Sequence, residues 1–243
     1  MPRFFVPKQE IGSSFLVLTG ENAAHAKVLR LKNGDDVTVC DGEGTDYACT
    51  VSDVASGQIS LVVHSADPSQ SEPKVACSIY MAFAKADKFE HVIQKATELG
   101  AAELVCFPSA RCVSRPDEKS LVKKRERWQK IAASAAEQSR RGRIPQVIAL
   151  PSYSSALARA AEADLAVCFY ENEEQLTFRA AIEAAPFQTA SLLTGPEGGF
   201  EPEEIRQALS AGLKICTLGS RILRCETAPL CALSALMYAA GEF

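Results

Sequence analysis

Two short segments near the C-terminus carry residue types suited to gripping a small ligand. They are Gly195-Pro196-Glu197-Gly198-Gly199-Phe200 and Leu218-Gly219-Ser220-Arg221-Ile222-Leu223-Arg224-Cys225-Glu226-Thr227-Ala228. Each follows an apolar run that reads as a buried strand, Ala190–Leu193 and Ile215–Leu218, and each leads into a helical pattern. Glycine-bearing loops at neighbouring strand ends let backbone N–H and C=O groups approach a ligand closely. The second loop adds Arg221, Arg224 and Glu226 beside that backbone cradle. Two arginines against one acid leave positive charge near a helix N-terminus, which suits an anionic substrate or a developing negative charge. Plainer readings stay open at this point. Pro196 and its glycines also make a tight strand-to-helix turn, and one arginine could simply pair with Glu226.

The commonest nucleotide cradles are absent. Gly42-Glu43-Gly44 continues into Thr45-Asp46-Tyr47 rather than completing Gly-x-Gly-x-x-Gly, and no Gly-Lys-Ser/Thr occurs. No metal is expected either. The nine cysteines contain no Cys-x-x-Cys pair, and His25, His64 and His91 are scattered. The cysteines read as buried, reduced thiols acting as small hydrophobes.

The elements that must position these loops change character along the chain. Up to about residue 65, short alternating runs predict strands at Phe15–Leu18, Asp36–Cys40, Tyr47–Val51 and Ile59–Val63. A helical stretch, Ala23–Leu31, interrupts them and carries His25, Lys27 and Arg30. A small β-barrel-like module is the natural reading. Ala66–Pro73 is polar, contains two prolines and reads as a linker. Strand then alternates with helix, the pattern of an α/β domain. Strands are predicted at Val75–Ala84, Leu104–Phe107, Gln146–Leu150 and Leu165–Tyr170. Helices are expected after Asp87, which can cap the first, from about Glu118 to Ser139, from Pro202, and from about Ala228 to Ala240, where Thr227 can act as cap. The predicted domains are residues 1–68 and 74–243.

With 243 residues, 47% hydrophobic and 23% charged, the composition is that of an ordinary globular protein. No apolar stretch approaches the roughly 18–20 residues of a membrane helix, and Met1-Pro2-Arg3-Phe4-Phe5 lacks the features of a secretory signal. A cytoplasmic protein without membrane partners is expected. The net charge of −4 hides an asymmetry. From Arg111 to Arg143 there are eleven Lys/Arg against four acids, a local +7, which leaves −11 for the rest. Such a segment is either a solvated helix face or the footprint of a polyanion. Arg140, Arg141 and Arg143 end it, and Arg3, Lys85, Lys88 and Arg111 are candidates to extend an RNA-binding surface.

Taken together, these motifs resemble the bacterial 16S rRNA (uracil-N3)-methyltransferase family, a branch of the SPOUT methyltransferases. The matching residues are Val28-Leu29-Arg30, Lys88-Phe89-Glu90, Gln94-Lys95-Ala96-Thr97-Glu98-Leu99-Gly100, Arg127-Trp128, Glu137-Gln138-Ser139-Arg140, Leu193-Thr194-Gly195-Pro196-Glu197-Gly198-Gly199 and Arg221–Ala228. They span nearly the whole chain in the expected order. Two departures stand out: Cys225 occupies a position usually held by Thr, and His25 lies one residue closer to Val28-Leu29-Arg30 than is usual. The resemblance implies a PUA-like β-barrel that helps hold RNA, followed by an α/β SPOUT domain whose end is threaded into a trefoil knot. It implies S-adenosylmethionine gripped by backbone around Thr194, Gly195, Gly199, Leu218, Gly219, Ile222, Leu223 and Ala228. It further implies a homodimer and, as substrate, 16S rRNA in the small ribosomal subunit, with Arg30, Arg140 and Arg143 among the RNA contacts. The expected chemistry places Arg224, and secondarily Arg221, against a uridine ionised at N3. Glu226 would orient an arginine or accept the proton; Glu197 is a further candidate, and the base is left open. The competing readings are a SPOUT methyltransferase acting on another RNA and a non-catalytic RNA-binding assembly factor.

Overall fold

Alternating apolar residues and glycine turns fold the start of the chain into a curled five-stranded sheet. The computed structural model describes residues 1–85 and 87–243, which fall into two compact units. Unit 1 comprises Met1–Glu72 and Ala136–Ile144; unit 2 comprises Pro73–Ala135 and Pro145–Phe243.

In unit 1 the elements are β1 (Arg3–Phe5), β2 (Phe15–Leu18), α1 (Gly20–Val28), β3 (Asp36–Cys40), β4 (Thr45–Ala55) and β5 (Gln58–Pro68). Their spatial order is β1-β3-β4-β5-β2, with β1 parallel to β3 and every other pair antiparallel. On β2, Leu16 and Leu18 point inward while Phe15 and Val17 stay exposed, the period-2 pattern of a half-buried strand. They meet Phe4, Val37, Val39, Val51 and Leu61 from the other strands and Ala26 from α1 in one core.

The stretch Ala66–Pro73 differs from the expected free linker. β5 continues to Pro68, which pairs with Thr45, and the Ser69 amide donates to the Gly44 carbonyl at 2.8 Å. The polar composition reflects the exposed end of a long hairpin, where solvent takes the place of a core. Ala136–Ile144 also joins unit 1 by contact, although chain order sets it among the α/β elements. Glu72 is its anchor. Its Oε2 accepts Arg141 Nη2 at 2.7 Å, and its Oε1 accepts the Gly142 and Arg143 amides at 2.9 and 3.1 Å. The Arg141 side chain is 5% exposed, so this pair is largely out of water.

Unit 2 holds β6 (Ala76–Ala82), α2 (Lys88–Glu98), β7 (Glu103–Phe107), the body of α3 (Glu118–Gln138), β8 (Gln146–Ala149), α4 (Tyr153–Ala160) and β9 (Leu165–Phe169). It continues with α5 (Phe178–Glu183), β10 (Thr189–Thr194), α6 (Pro202–Ser210), β11 (Lys214–Cys216) and α7 (Thr227–Ala239). The strands form one sheet in the order β11-β9-β10-β6-β7-β8, and every neighbouring pair is parallel. All five residues of β9 are buried, as continuous apolar runs in two-sided parallel sheets require. Phe89 on α2 meets Trp128 on α3 edge-to-face, with ring centroids 4.9 Å apart. α4 and α5 were not expected, because short helices leave little periodicity. Asp87 stands at the N-cap of α2 but makes no side-chain cap bond. Thr227 is the first helical residue of α7, and the N-cap is Glu226. β11 ends at Cys216, so Leu218 lies in the loop that follows it.

Glu72→Ala is expected to destabilise the protein by roughly 3 kcal/mol, because it removes the carboxylate from a buried arginine and two amides. Glu72→Gln, which keeps an acceptor, should lose less. Urea denaturation checks both, and an unchanged midpoint in the alanine variant would contradict this role.

Candidate functional site

Because every strand of unit 2 runs the same way, all the connections that leave the carboxyl ends emerge along one edge of the sheet. Strand order reverses between β6 and β10, the kind of switch point where open α/β sheets bind ligands. Four segments reach this edge: residues 83–85 and 87–88 after β6, Tyr170 and Glu171 after β9, residues 195–199 after β10, and residues 217–226 after β11. Both loops singled out in the sequence therefore come together, flanking the end of β9.

The 195–199 loop is tight. A Cβ added to Gly195 would lie 3.2 Å from the Gly199 carbonyl carbon and 3.3 Å from its Cα. Gly199 has φ +67°, and a Cβ there would come within 2.3 Å of Glu171 Oε1. Glycine is therefore favoured at Gly199 by the left-handed backbone, and the space beside it is taken by the end of the Glu171 side chain. Thr194 is buried, and its Oγ1 donates to the Tyr80 carbonyl at 3.2 Å. The loop's exit is held by Glu204, 6% exposed, whose Oε1 accepts Ser109 Oγ at 2.8 Å and the Ala110 amide at 2.9 Å. Its Oε2 accepts the Glu201 amide, completing a capping box on α6.

The second loop is open. Among the described residues, Ser220–Leu223 form no backbone–backbone hydrogen bond, so their N–H and C=O groups are available to a ligand. Gly219 donates to Thr217 Oγ1 at 3.1 Å, and the Arg224 carbonyl accepts the Thr227 and Ala228 amides, which starts α7. Arg221 and Arg224 are exposed and form no ion pair or side-chain hydrogen bond among the described residues. Ile222 is 86% exposed, while Leu218, Leu223 and Ala228 are half-buried.

Lys88 joins the two loops. Its Nζ lies 3.3 Å from Glu197 Oε1 and 3.3 Å from Glu226 Oε2, and it donates to Cys225 Sγ at 3.6 Å. The Lys85 amide also donates to Glu197 Oε1, at 2.9 Å. Burial works against ionising Glu197, but the Lys85 amide and the Lys88 ammonium outweigh it and hold the carboxyl below its usual range. Burial likewise opposes charge on Glu226, and its own amide, the Cys225 thiol and Lys88 outweigh it in the same direction. Desolvation disfavours charge on Lys88, yet Cys225 and the two carboxylates raise its pKa. Burial pushes the Cys225 thiol up to about 11, so it stays protonated and donates to Glu226 at 3.2 Å.

These contacts change several expected roles. Glu226 pairs with Lys88 rather than with either arginine, and its lowered pKa makes it a poor proton acceptor. Lys88, expected on RNA, is engaged between two carboxylates. Arg111 donates to the Gly198 carbonyl at 2.9 Å and supports the first loop. Lys85 has an exposed side chain.

Within unit 1, Arg3 is also committed. It forms two 2.8 Å bonds to Asp46 and further bonds to Cys40 Sγ and the Arg141 carbonyl, and its side chain is 13% exposed. Arg30, Arg140 and Arg143 are exposed. Arg30 (φ +58°) and Arg140 (φ +62°) are the only non-glycine residues with positive φ among the described residues. They follow the ends of α1 and α3, and His25 Nδ1 lies 2.9 Å from Glu137 Oε1, which links those two ends. Among the described residues no group of three His, Cys, Asp or Glu could hold a metal ion, and no helix is long and apolar enough to cross a membrane. The residue that sequence reasoning missed is Glu171. Its only sequence signal is an acid just past the carboxyl end of an apolar strand.

Comparisons with known proteins show the family. The RNA methyltransferase domain family matches residues 71–237, and the RNA methyltransferase PUA domain family matches residues 18–63. The chain is 37% identical to ribosomal RNA small subunit methyltransferase E of Bacillus subtilis, over 98% of this chain and 96% of that protein. It is 33% identical to the protein of the same name from Synechocystis, over 94% of this chain and 74% of that one. A crystal structure of ribosomal RNA small subunit methyltransferase E from Neisseria gonorrhoeae, bound to S-adenosylmethionine, superposes with a TM-score of 0.85. It is 29% identical and covers 98% of this chain and 97% of its own.

The carboxylates around Lys88 give a pH signature. Carboxyls with lowered folded pKa add stability that is fully present above the unfolded value of about 4.3 and is lost as pH falls through the lower folded values. Lys88→Met should therefore be less stable than the parent near neutrality, with the gap closing below about pH 4. Urea midpoints at the two pH values check this; a gap independent of pH would contradict it.

Proposed function

The chain belongs to the RNA methyltransferase family, and from that premise we propose that it methylates N3 of one uridine in the 16S rRNA of the small ribosomal subunit, with S-adenosylmethionine as methyl donor. The observation that carries this reading is the paired loops: a close-packed glycine cradle, pinned by Lys88, beside two arginines that make no ion pair among the described residues.

The cradle fits the cofactor. Gly195 and Gly199 bring backbone close where a Cβ would fill the space, and Ser220 to Leu223 offer backbone groups with no backbone partner among the described residues. Thr194, Gly195, Gly199, Leu218, Gly219, Ile222, Leu223 and Ala228 are the residues that would hold it. When bound, S-adenosylmethionine supplies a sulfonium methyl that is already electrophilic. The remaining work falls to the protein. A uridine within a duplex cannot be reached, so the base must be single-stranded or flipped. N3 must lose its proton, and the resulting charge spreads over O2 and O4. Arg224 and Arg221 are free to donate charge-assisted hydrogen bonds to those oxygens. Glu197 and Glu226 are held ionised by Lys88 and keep the loops in place. Their lowered pKa values leave water or hydroxide as the acceptor of the N3 proton.

RNA affinity is assigned to exposed cations outside the loops, Arg30, Arg140 and Arg143 in unit 1 and Lys85 in unit 2. Arg30 and Arg140 favour this because each accepts a left-handed backbone that glycine would occupy more cheaply. The same reading carries a cytoplasmic homodimer and the trefoil-knot threading that the resemblance implies.

Three measurements test the proposal. Small subunits lacking the modification, incubated with the protein and labelled S-adenosylmethionine, should yield N3-methyluridine by nucleoside mass spectrometry. A different methylated nucleoside would replace this substrate, and no transfer would remove the reaction. Arg224→Ala should lower kcat by about a hundredfold or more while leaving cofactor affinity unchanged; full activity would exclude its role. Arg30→Gly and Arg140→Gly should each raise stability by roughly 0.5–1 kcal/mol while weakening RNA binding and reducing the salt slope by about one. Unchanged RNA affinity would return both arginines to the solvated surface.

A further inference from the structure

We propose that Glu171 is the side chain that recognises the ribose of the cofactor, accepting hydrogen bonds from its vicinal hydroxyls. This rests on the reading that S-adenosylmethionine occupies the paired loops, and it adds the one side-chain contact that the backbone cradle lacks.

Three observations converge on Glu171. First, its place is central: it follows β9, which lies between β10 and β11, the two strands that carry the glycine loops. Second, its carboxylate lies against the cradle itself, since a Cβ on Gly199 would come within 2.3 Å of Oε1 and 3.0 Å of Oε2. Third, the carboxylate makes no hydrogen bond or ion pair among the described residues. Its neighbours fix the segment without it. The Tyr170 amide donates to the Cys216 carbonyl at 3.1 Å, and Glu173 Oε1 accepts the Gln175 and Leu176 amides at 2.7 and 3.1 Å.

An ionised carboxylate is acceptor-only, with two oxygens side by side. Its natural complement is a pair of adjacent hydroxyls. The placement also matches a general arrangement of parallel sheets, in which a glycine loop grips one part of a nucleotide while an acid at the end of the neighbouring strand takes the ribose. A cation on the ligand is the competing complement, and it predicts a different pattern of affinities.

Calorimetric binding to the full chain separates the two. The probes are S-adenosylmethionine, 5′-methylthioadenosine, which has the ribose but neither the ammonium nor the sulfonium, and the 2′,3′-dideoxy form of 5′-methylthioadenosine. Glu171→Gln is expected to weaken binding of S-adenosylmethionine and 5′-methylthioadenosine alike, by about tenfold or more. The dideoxy probe should bind the parent protein about tenfold or more weakly than 5′-methylthioadenosine, and should bind parent and variant equally. The proposal is overturned if the variant keeps full affinity, or if it loses S-adenosylmethionine but not 5′-methylthioadenosine. Equal binding of the two thioadenosines to the parent protein overturns it without any variant. A parent protein that binds no S-adenosylmethionine removes the proposed function instead.

Discussion

Six parallel strands place all their carboxyl ends on one edge, and the candidate site of unit 2 depends on that delivery. The order β11-β9-β10-β6 matters as much as the direction. It sets the ends of β10 and β11 on either side of β9, so the 195–199 and 217–226 loops leave the sheet beside the same strand end. The reversal between β6 and β10 then brings the start of α2 to the same place. No single loop could form this site, because each supplies only part: tight backbone from 195–199, open backbone and arginines from 217–226, and a lysine from α2.

Lys88 turns proximity into geometry. A cation in the first turn of a helix opposes the helix dipole, so that position is unfavourable unless anions compensate. Here Glu197 and Glu226 compensate, one from each loop, and the three charges lock loops that share no strand pairing with each other. The arrangement also sorts the charges by task. Glu197 and Glu226 face an internal partner, while Arg221 and Arg224 have none among the described residues. Two exposed arginines beside a closed ion cluster leave charged donors on offer to an anionic group.

Much of this was legible in the sequence, for identifiable reasons. Buried parallel strands write themselves as short apolar runs, so β7, β9 and β10 were found nearly to the residue. Glycine loops announce their conformations, and Pro202 with two acids behind it marks the start of α6. What stayed hidden was pairing at a distance. Arg3 and Lys88 read as free cations because nothing local reveals Asp46 or Glu197 and Glu226 as their partners. Glu72 reads as part of a linker, since its partners, Arg141 and the amides beside it, lie about seventy residues away. Glu171 lacks even a neighbouring motif; only its packing on Gly199 distinguishes it from the other acids of Glu171-Asn172-Glu173-Glu174.

The places where local rules are broken are informative for the same reason that regular places are predictable. A sequence optimised only for stability would put glycine at Arg30 and Arg140, where the backbone is left-handed, and would keep lysine away from the first turn of α2. The two kinds of violation differ in how they are compensated. At Lys88 the structure itself supplies the offset, through Glu197 and Glu226, so that position is explained by the fold. At Arg30 and Arg140 the left-handed residue closes α1 and α3, with the Leu31 and Arg141 amides reaching back to the Ala26 and Ala136 carbonyls, but glycine would serve those caps more cheaply. The exposed guanidinium groups make no ion pair or side-chain hydrogen bond among the described residues, so the choice of arginine points to a return outside the chain. A polyanion on that face of unit 1 would provide one, by drawing both guanidinium groups into phosphate contacts that a glycine could not make.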